Sequence, residues 1–170
     1  MVMFHYSQGG QAVMSAQALA ALFDASAVVQ DSCRVLAAML HGALHGEPLA
    51  RVLQPRESFL GPEPLSPLLA ALLDADPTLM PSPLQPPSLF ALAAARWALS
   101  GSGGFRAGAL RVANLGGGSD VLGAVHGQLA GAFYGYASIP SDWLASLARR
   151  EPIEALAQQL FAADSAAPIG

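Results

Sequence analysis

Apolar residues recur along this chain at helical spacing, and the breaks between the runs carry recognisable stop signals. Ala12, Val13, Ala16, Leu19 and Ala20 predict a helix over Gln8–Leu22, set off by a break at Gly9 and Gly10. Ser26 is placed to cap the next helix, whose period through Val28, Val35, Leu36, Met39, Leu40 and Leu44 runs to a stop at Gly46. Pro48 then opens a short helix to Leu53. Nine of the thirteen prolines fall between Pro55 and Pro87, which predicts extended or turning chain interrupted by one helix at about Leu65–Leu73. Leucines interleaved at irregular spacing favour a packed, irregular loop there over a polyproline ligand. Ser88 is expected to cap Leu89–Leu99, Gly101 to Gly104 stop it, and Phe105–Leu115 follows as a short helix. Pro140 starts a helix to about Ala148, with Arg149 and Arg150 at its negative end. A last helix runs from Pro152 to Phe161, and the tail from Ala162 is expected to fray.

The stretch between these, Asn114 to Gly135, organises the rest. It opens with Gly116, Gly117 and Gly118, and Ser119 or Asp120 is placed to cap the helix that follows. Within that helix Gly123, Gly127, Gly131 and Gly135 recur every fourth residue, so they share one slowly drifting face. Each costs a helix interior about 1 kcal/mol relative to alanine. We therefore expect another helix packed against them, backbone to backbone. Such spacing also marks membrane helix dimers. His126, Gln128, the missing basic flanks and the polar turn before Asp142 favour a buried helix of a soluble all-α protein.

Composition narrows the function. With 170 residues, 53% of them hydrophobic, the chain reads as a single domain over 1–170 with a proline-rich insertion at about 54–87. A net charge of −4 gives no reason to expect nucleic acid. All eight basic residues are arginine, which removes lysine-based mechanisms such as a P-loop or a Schiff base. Cys33 is the single cysteine, and the N-terminus has no basic region followed by an apolar core. Cytoplasmic location is the expectation.

Candidate chemistry is sparse. Asn114, Gly116, Gly117, Gly118 and Ser119 form a glycine loop at a helix start, where backbone N–H groups could hold a phosphate, or where the glycines simply turn the chain. His41 and His45 share a helix face as zinc ligands do, but no third ligand is placed. His126 is expected in the core, satisfied by a neighbour. Asp74 and Asp76 before Pro77 read as a helix end and a turn, not an acid–base pair.

Val112 to Gly135, with its V-A-N-L-G-G-G-S-D-V-L-G-A-V-H-G run, resembles the C-terminal signature of the ADP-ribosylglycohydrolase family. Ile139-Pro140 to Trp143 is similar to the family's I-P-x-x-W. The end of the helix at Ala95 to Leu99 and the Asp31 to Arg34 run with Gly46-Glu47 are also similar to family segments. The resemblance implies an all-helical fold, shortened at its N-terminus, and removal of ADP-ribose from modified side chains with two magnesium ions. It also implies metal ligands at both aspartates and the final threonine of G-D-T-D-T. Gly118, Asp120 and Val121 stand there, so Asp120 alone survives as a residual ligand, and no Asp-Asp pair exists anywhere in the chain.

The expectation is thus a degenerate relative without hydrolase activity, holding an ADP-ribose-like or phosphate ligand, or a protein, at the loop. No cofactor is expected, with magnesium only if the family's site is retained. The alternative is an active magnesium-dependent hydrolase completed by a second chain. Uncovered core surface predicts a homo-oligomer or a partner chain, and neither nucleic acid nor membrane is an expected partner.

Overall fold

The computed structural model describes residues 2, 3 and 5–166, with side chains to residue 163. Among them are nine α-helices and two single 3-10 turns, at Glu57–Phe59 and Tyr136–Ser138. The helices are α1 (Gly9–Ala21), α2 (Ala27–Leu44), α3 (Leu49–Leu53), α4 (Pro67–Asp74), α5 (Pro87–Ser100), α6 (Phe105–Ala113), α7 (Ser119–Tyr134), α8 (Ser141–Ser146) and α9 (Arg150–Ala166). The all-α expectation holds. No helix among the described residues is long and apolar enough to cross a membrane.

Helix α1 lies along α2, and α7 packs on α5, α6 and α2. Small side chains let these axes approach closely, so the main core combines Ala37, Ala38, Ala95 and Ala130 with Val35, Met39, Leu92, Leu99 and Leu129. A second cluster, built on Phe90, Ala94, Ala98, Val112 and Leu122, locks α5, α6 and α7 together. Helix α2 ends as its sequence dictates: Gly46 takes φ 71°, Gly46 N–H donates to Ala43 O, and Glu47 N–H donates to Gly42 O at 2.9 Å. That is a Schellman stop.

Two buried arginines tie the proline-rich stretch to this core. Arg34 of α2, 2% exposed, donates to Asp31 Oδ1 at 2.8 Å, to Leu60 O at 3.0 Å and to Glu63 O at 2.7 Å. Asp31 Oδ2 accepts the Ser66 N–H at 2.7 Å, one residue before α4 begins. Arg96 of α5 donates to Leu53 O at 3.1 Å and Leu73 O at 3.2 Å, and to Leu72 O as well. It thereby satisfies carbonyls that the ends of α3 and α4 leave unpaired. Prolines lack the N–H needed for regular structure, so the stretch is held through its carbonyls instead.

Several local expectations are corrected. The glycine stripe of α7 is not packed against a helix. A Cβ at Gly123 or Gly127 would meet nothing within 4 Å, one at Gly131 only Phe105 at 4.0 Å, and Gly135 ends the helix at φ 81°. The buried stripe of α7 is Leu122, His126, Leu129 and Ala130, and the glycines lie off it. Close approach occurs elsewhere. A Cβ on Gly108 of α6 would sit 2.5 Å from His126 Nε2, and one on Gly9 would sit 2.8 Å from His41 and Phe59. Gly9 and Gly10 thus form the first turn of α1 instead of breaking the chain before it.

Capping also differs from expectation. Neither Ser119 nor Asp120 caps α7; Gly118 holds the N-cap position, with no side-chain cap bond. Ser26 occupies the N-cap of α2 without a side-chain bond to it. Pro86, not Ser88, occupies the N-cap of α5, because Pro87 with its fixed φ starts the helix two residues earlier. Arg149 and Arg150 do not end α8, which stops at Ser146. Arg149 reverses the chain at φ 58° and Arg150 opens α9, paired with Glu154 at 2.6 Å. Helix α9 continues past the expected fray at Ala162 to Ala166.

Three outcomes follow. Arg34→Met strands the buried Asp31 carboxylate and two loop carbonyls, and should cost about 3–5 kcal/mol in urea unfolding. Gly127→Ala should leave the fold intact and raise stability by up to about 1 kcal/mol, the opposite of what a packed stripe requires. A loss would show that the open face is filled. The third outcome concerns pH. His126 is fully buried and neither ring nitrogen has a hydrogen-bond partner in normal geometry. Burial lowers its pKa from the ordinary 6.5, offset only in part by the Ala95 backbone, and burial, with the charge of His45, lowers that of His41. The unfolded chain therefore takes up protons first. Stability should be full above pH 6.5 and fall as pH drops below it, with a shallower slope in His126→Leu.

Candidate functional site

The glycine loop is a sharp reversal between two helices fixed by the second core cluster. Leu115, half-buried, packs on that cluster beside Val112 and Leu122, and so pins the loop's base. Asn114 is the C-cap of α6, donating its N–H to Leu110 O at 3.2 Å. Gly116, Gly117 and Gly118 then take φ of 73°, 62° and 92° in succession. A side chain would strain all three, since the left-handed region suits glycine. Helix α7 starts immediately after, and Gly118 O accepts the Leu122 N–H at 3.1 Å.

The amides of the first turn, from Ser119 to Val121, have no side-chain cap. Unsatisfied N–H groups and the positive end of the helix dipole together favour an anion. Asn114, Gly116, Gly117, Gly118, Ser119 and Asp120 are all exposed, so the residues singled out by sequence share one accessible corner. Asp120, in the first turn of α7, already places one negative charge there.

Magnesium requires several oxygen ligands in near-octahedral arrangement. At the three positions that the family resemblance assigns to metal ligands stand Gly118, Asp120 and Val121, and only Asp120 brings a side-chain oxygen. Among the described residues no group of three histidine, cysteine, aspartate or glutamate side chains converges as a metal site. This donor set does not fit a dinuclear centre.

The remaining polar candidates are placed elsewhere. His41 Nε2 donates to Tyr6 O at 3.1 Å and His45 Nδ1 to His41 O at 2.9 Å, with the two rings stacked 4.0 Å apart. Tyr6 stacks on His45 at 4.2 Å. The pair lines a 150 Å³ cavity with Glu47, Arg51, Arg56 and Phe59. One nitrogen of each ring is thus spent on a carbonyl, which suits a structural stack better than a pair of metal ligands. His126 is in the core as expected, but without the satisfied partner. Asp76 closes a turn, accepting the Thr78 N–H at 2.8 Å and its hydroxyl at 2.7 Å. Sequence reasoning missed the anchoring arginines, although an Asp and an Arg three apart in an apolar helix were a visible sign of Asp31 and Arg34.

At the end of α6 away from the loop, Trp143 packs edge-on to Phe105 at 6.3 Å under the Arg106 guanidinium at 5.2 Å. Arg111 lies 4.0 Å over the Trp97 ring. These contacts brace both ends of α6, the helix that delivers the chain to the loop.

Comparison with known proteins agrees with this architecture. A family model described as ADP-ribosylglycohydrolase matches residues 1–168. An ADP-ribosylarginine hydrolase Tri1 of Pseudomonas putida (strain GB-1) is 36% identical over 133 residues, 76% of this chain and 34% of the relative. A protein of the same name from Serratia proteamaculans (strain 568) is 47% identical over 70 residues, 41% of this chain and 19% of that relative. A chain from a structure titled "ADP-ribosylglycohydrolase-related protein complex" superimposes with a TM-score of 0.86 and 32% identity, covering 96% of this chain and 57% of that one. The chain therefore spans only part of the length of the relatives it matches. A match from end to end on the same all-helical fold places this chain in the ADP-ribosylglycohydrolase family.

Proposed function

We propose that this chain is a catalytically impaired ADP-ribosylglycohydrolase-like protein whose glycine loop holds a phosphate of an ADP-ribose-like ligand. One observation carries the reading: three consecutive left-handed glycines present an uncapped helix start beside a lone carboxylate. In this reading Asn114, Gly116, Gly117, Gly118 and Ser119 bind, and Asp120 is a residual ligand position that holds magnesium weakly at most. The names of the relatives point to ADP-ribosylated arginine as the acceptor class to test first.

A second reading is an active magnesium-dependent hydrolase completed by another chain. It is supported by the open face of α7 and by the share of the relatives' length that this chain does not span. In that case the missing oxygen ligands come from the added polypeptide.

Calorimetric titration of the purified chain with ADP-ribose, with magnesium and with chelator separates the readings. Saturable ADP-ribose binding should be unchanged by chelator and should weaken about tenfold in Gly117→Val, because a β-branched residue resists φ 62°. Magnesium alone should give no saturable isotherm below about a millimolar, since one carboxylate leaves the ion largely hydrated. Release of ADP-ribose from ADP-ribosylarginine by the chain alone, dependent on magnesium and lost in Asp120→Ala, would overturn the proposal.

A further inference from the structure

The last two turns of α2 and its C-cap present Ala38, His41, Gly42 and His45 on one face, at spacings of three and four. Ala38 and Gly42 are too small to fill the space beside the two rings, and the chain that follows α3 adds Arg56 and Phe59 to its wall. Glu47 and Arg51 complete the 150 Å³ cavity that results.

The charges on this wall are unpaired. Glu47 is half-buried, and Arg51 and Arg56 are exposed. Among the described residues none of these three side chains takes part in an ion pair or a hydrogen bond. Opposite charges that line one cavity without meeting leave a gap that a molecule carrying both charges would close. The rings add to this. His41 Nε2 and His45 Nδ1 each donate to a carbonyl, so in the neutral rings His41 Nδ1 and His45 Nε2 are acceptors, and neither bonds a described residue. Burial and the charge of His45 lower the pKa of His41, opposed by the Tyr6 carbonyl, which keeps that ring neutral at pH 7. With Glu47 the cavity therefore offers three acceptors beside two guanidinium donors. The acceptors do not converge as a metal site. Metal bonds of about 2 Å demand a tight set, whereas an ammonium reaches its acceptors at about 2.9 Å with three N–H groups.

We propose that this cavity binds a small α-amino acid as its zwitterion, the ammonium on Glu47, His41 Nδ1 and His45 Nε2 and the carboxylate on Arg51 and Arg56. A planar guanidinium fork matches a carboxylate, and the Phe59 ring gives a short side chain an apolar contact. A cavity of about this volume holds a benzene-sized molecule, and alanine has as many heavy atoms. An amine or a carboxylate alone would leave the opposite charges partly desolvated and without a partner, so the site selects for both. It shares no lining residue with the glycine loop, so the inference stands whatever the loop binds.

Calorimetric titration of the full chain near neutral pH with L-alanine tests this, beside propionate, which lacks the ammonium, and ethylamine, which lacks the carboxylate. L-alanine should saturate with a Kd at or below about a millimolar, within reach of a ligand this small. Each control should bind at least about tenfold more weakly, because half of its charge-assisted bonds are missing. Glu47→Gln, and Arg51→Gln combined with Arg56→Gln, remove charges that no described residue uses and so should leave the urea midpoint unchanged. Each variant should nevertheless weaken L-alanine about tenfold. An L-alanine titration that does not saturate by about ten millimolar overturns the proposal. So does propionate bound as tightly as L-alanine, which would make the cavity a simple anion site. Full L-alanine affinity in both variants overturns it too, since the ligand would then sit elsewhere.

Discussion

Burying a guanidinium is costly unless every direction it faces offers an oxygen, and this fold builds such a cage twice. Around Arg34 the oxygens come from Asp31 on the same helix and from the carbonyls of Leu60 and Glu63. Around Arg96 they are carbonyls at the ends of α3 and α4. The dependence runs both ways: the arginines need those carbonyls, and a proline-rich stretch without ladder partners needs the arginines. Loop closure between α3 and α5 is thereby converted from a floppy connection into a fixed wall, against which Leu60 and Leu69 join the core. Arginine suits this work better than lysine would, because its planar fork bonds several acceptors at once without giving up its charge.

Much of the helical architecture was legible because it depends on local rules. The periods of α2 and α5, the Schellman stop at Gly46 and the proline that opens α3 each follow from a few adjacent residues. The failures share a cause. Whether the glycines of α7 touch another helix depends on which residues occupy the neighbouring volume, and nothing in the α7 sequence carries that information. The core-facing stripe was equally present in the sequence, at Leu122, His126, Leu129 and Ala130, but the regular glycine spacing drew attention to the other face. Similarly, a serine ahead of a helix is a cap only if the chain enters at the right angle, and at Pro86 and Pro87 the prolines decide that angle.

The glycine loop was legible in a different way. Its three glycines announce a backbone that side chains would forbid, and the φ values bear this out residue by residue. Its chemistry was less accessible, since an uncapped helix start is favourable to anions in general and selects no particular one. The metal question, by contrast, turns on side-chain identity. Gly118 and Val121 offer no oxygen beyond their backbone, so the donor set falls short before any geometry is considered.

Helix α7 therefore has two faces with opposite logic. One buries Leu122, His126 and Leu129 against α5 and α6, tightly enough that Gly108 has no space for a Cβ beside the His126 ring. The other spends helix propensity on glycines that no described neighbour exploits. At its N-terminal end that second face runs into Asp120 and the loop.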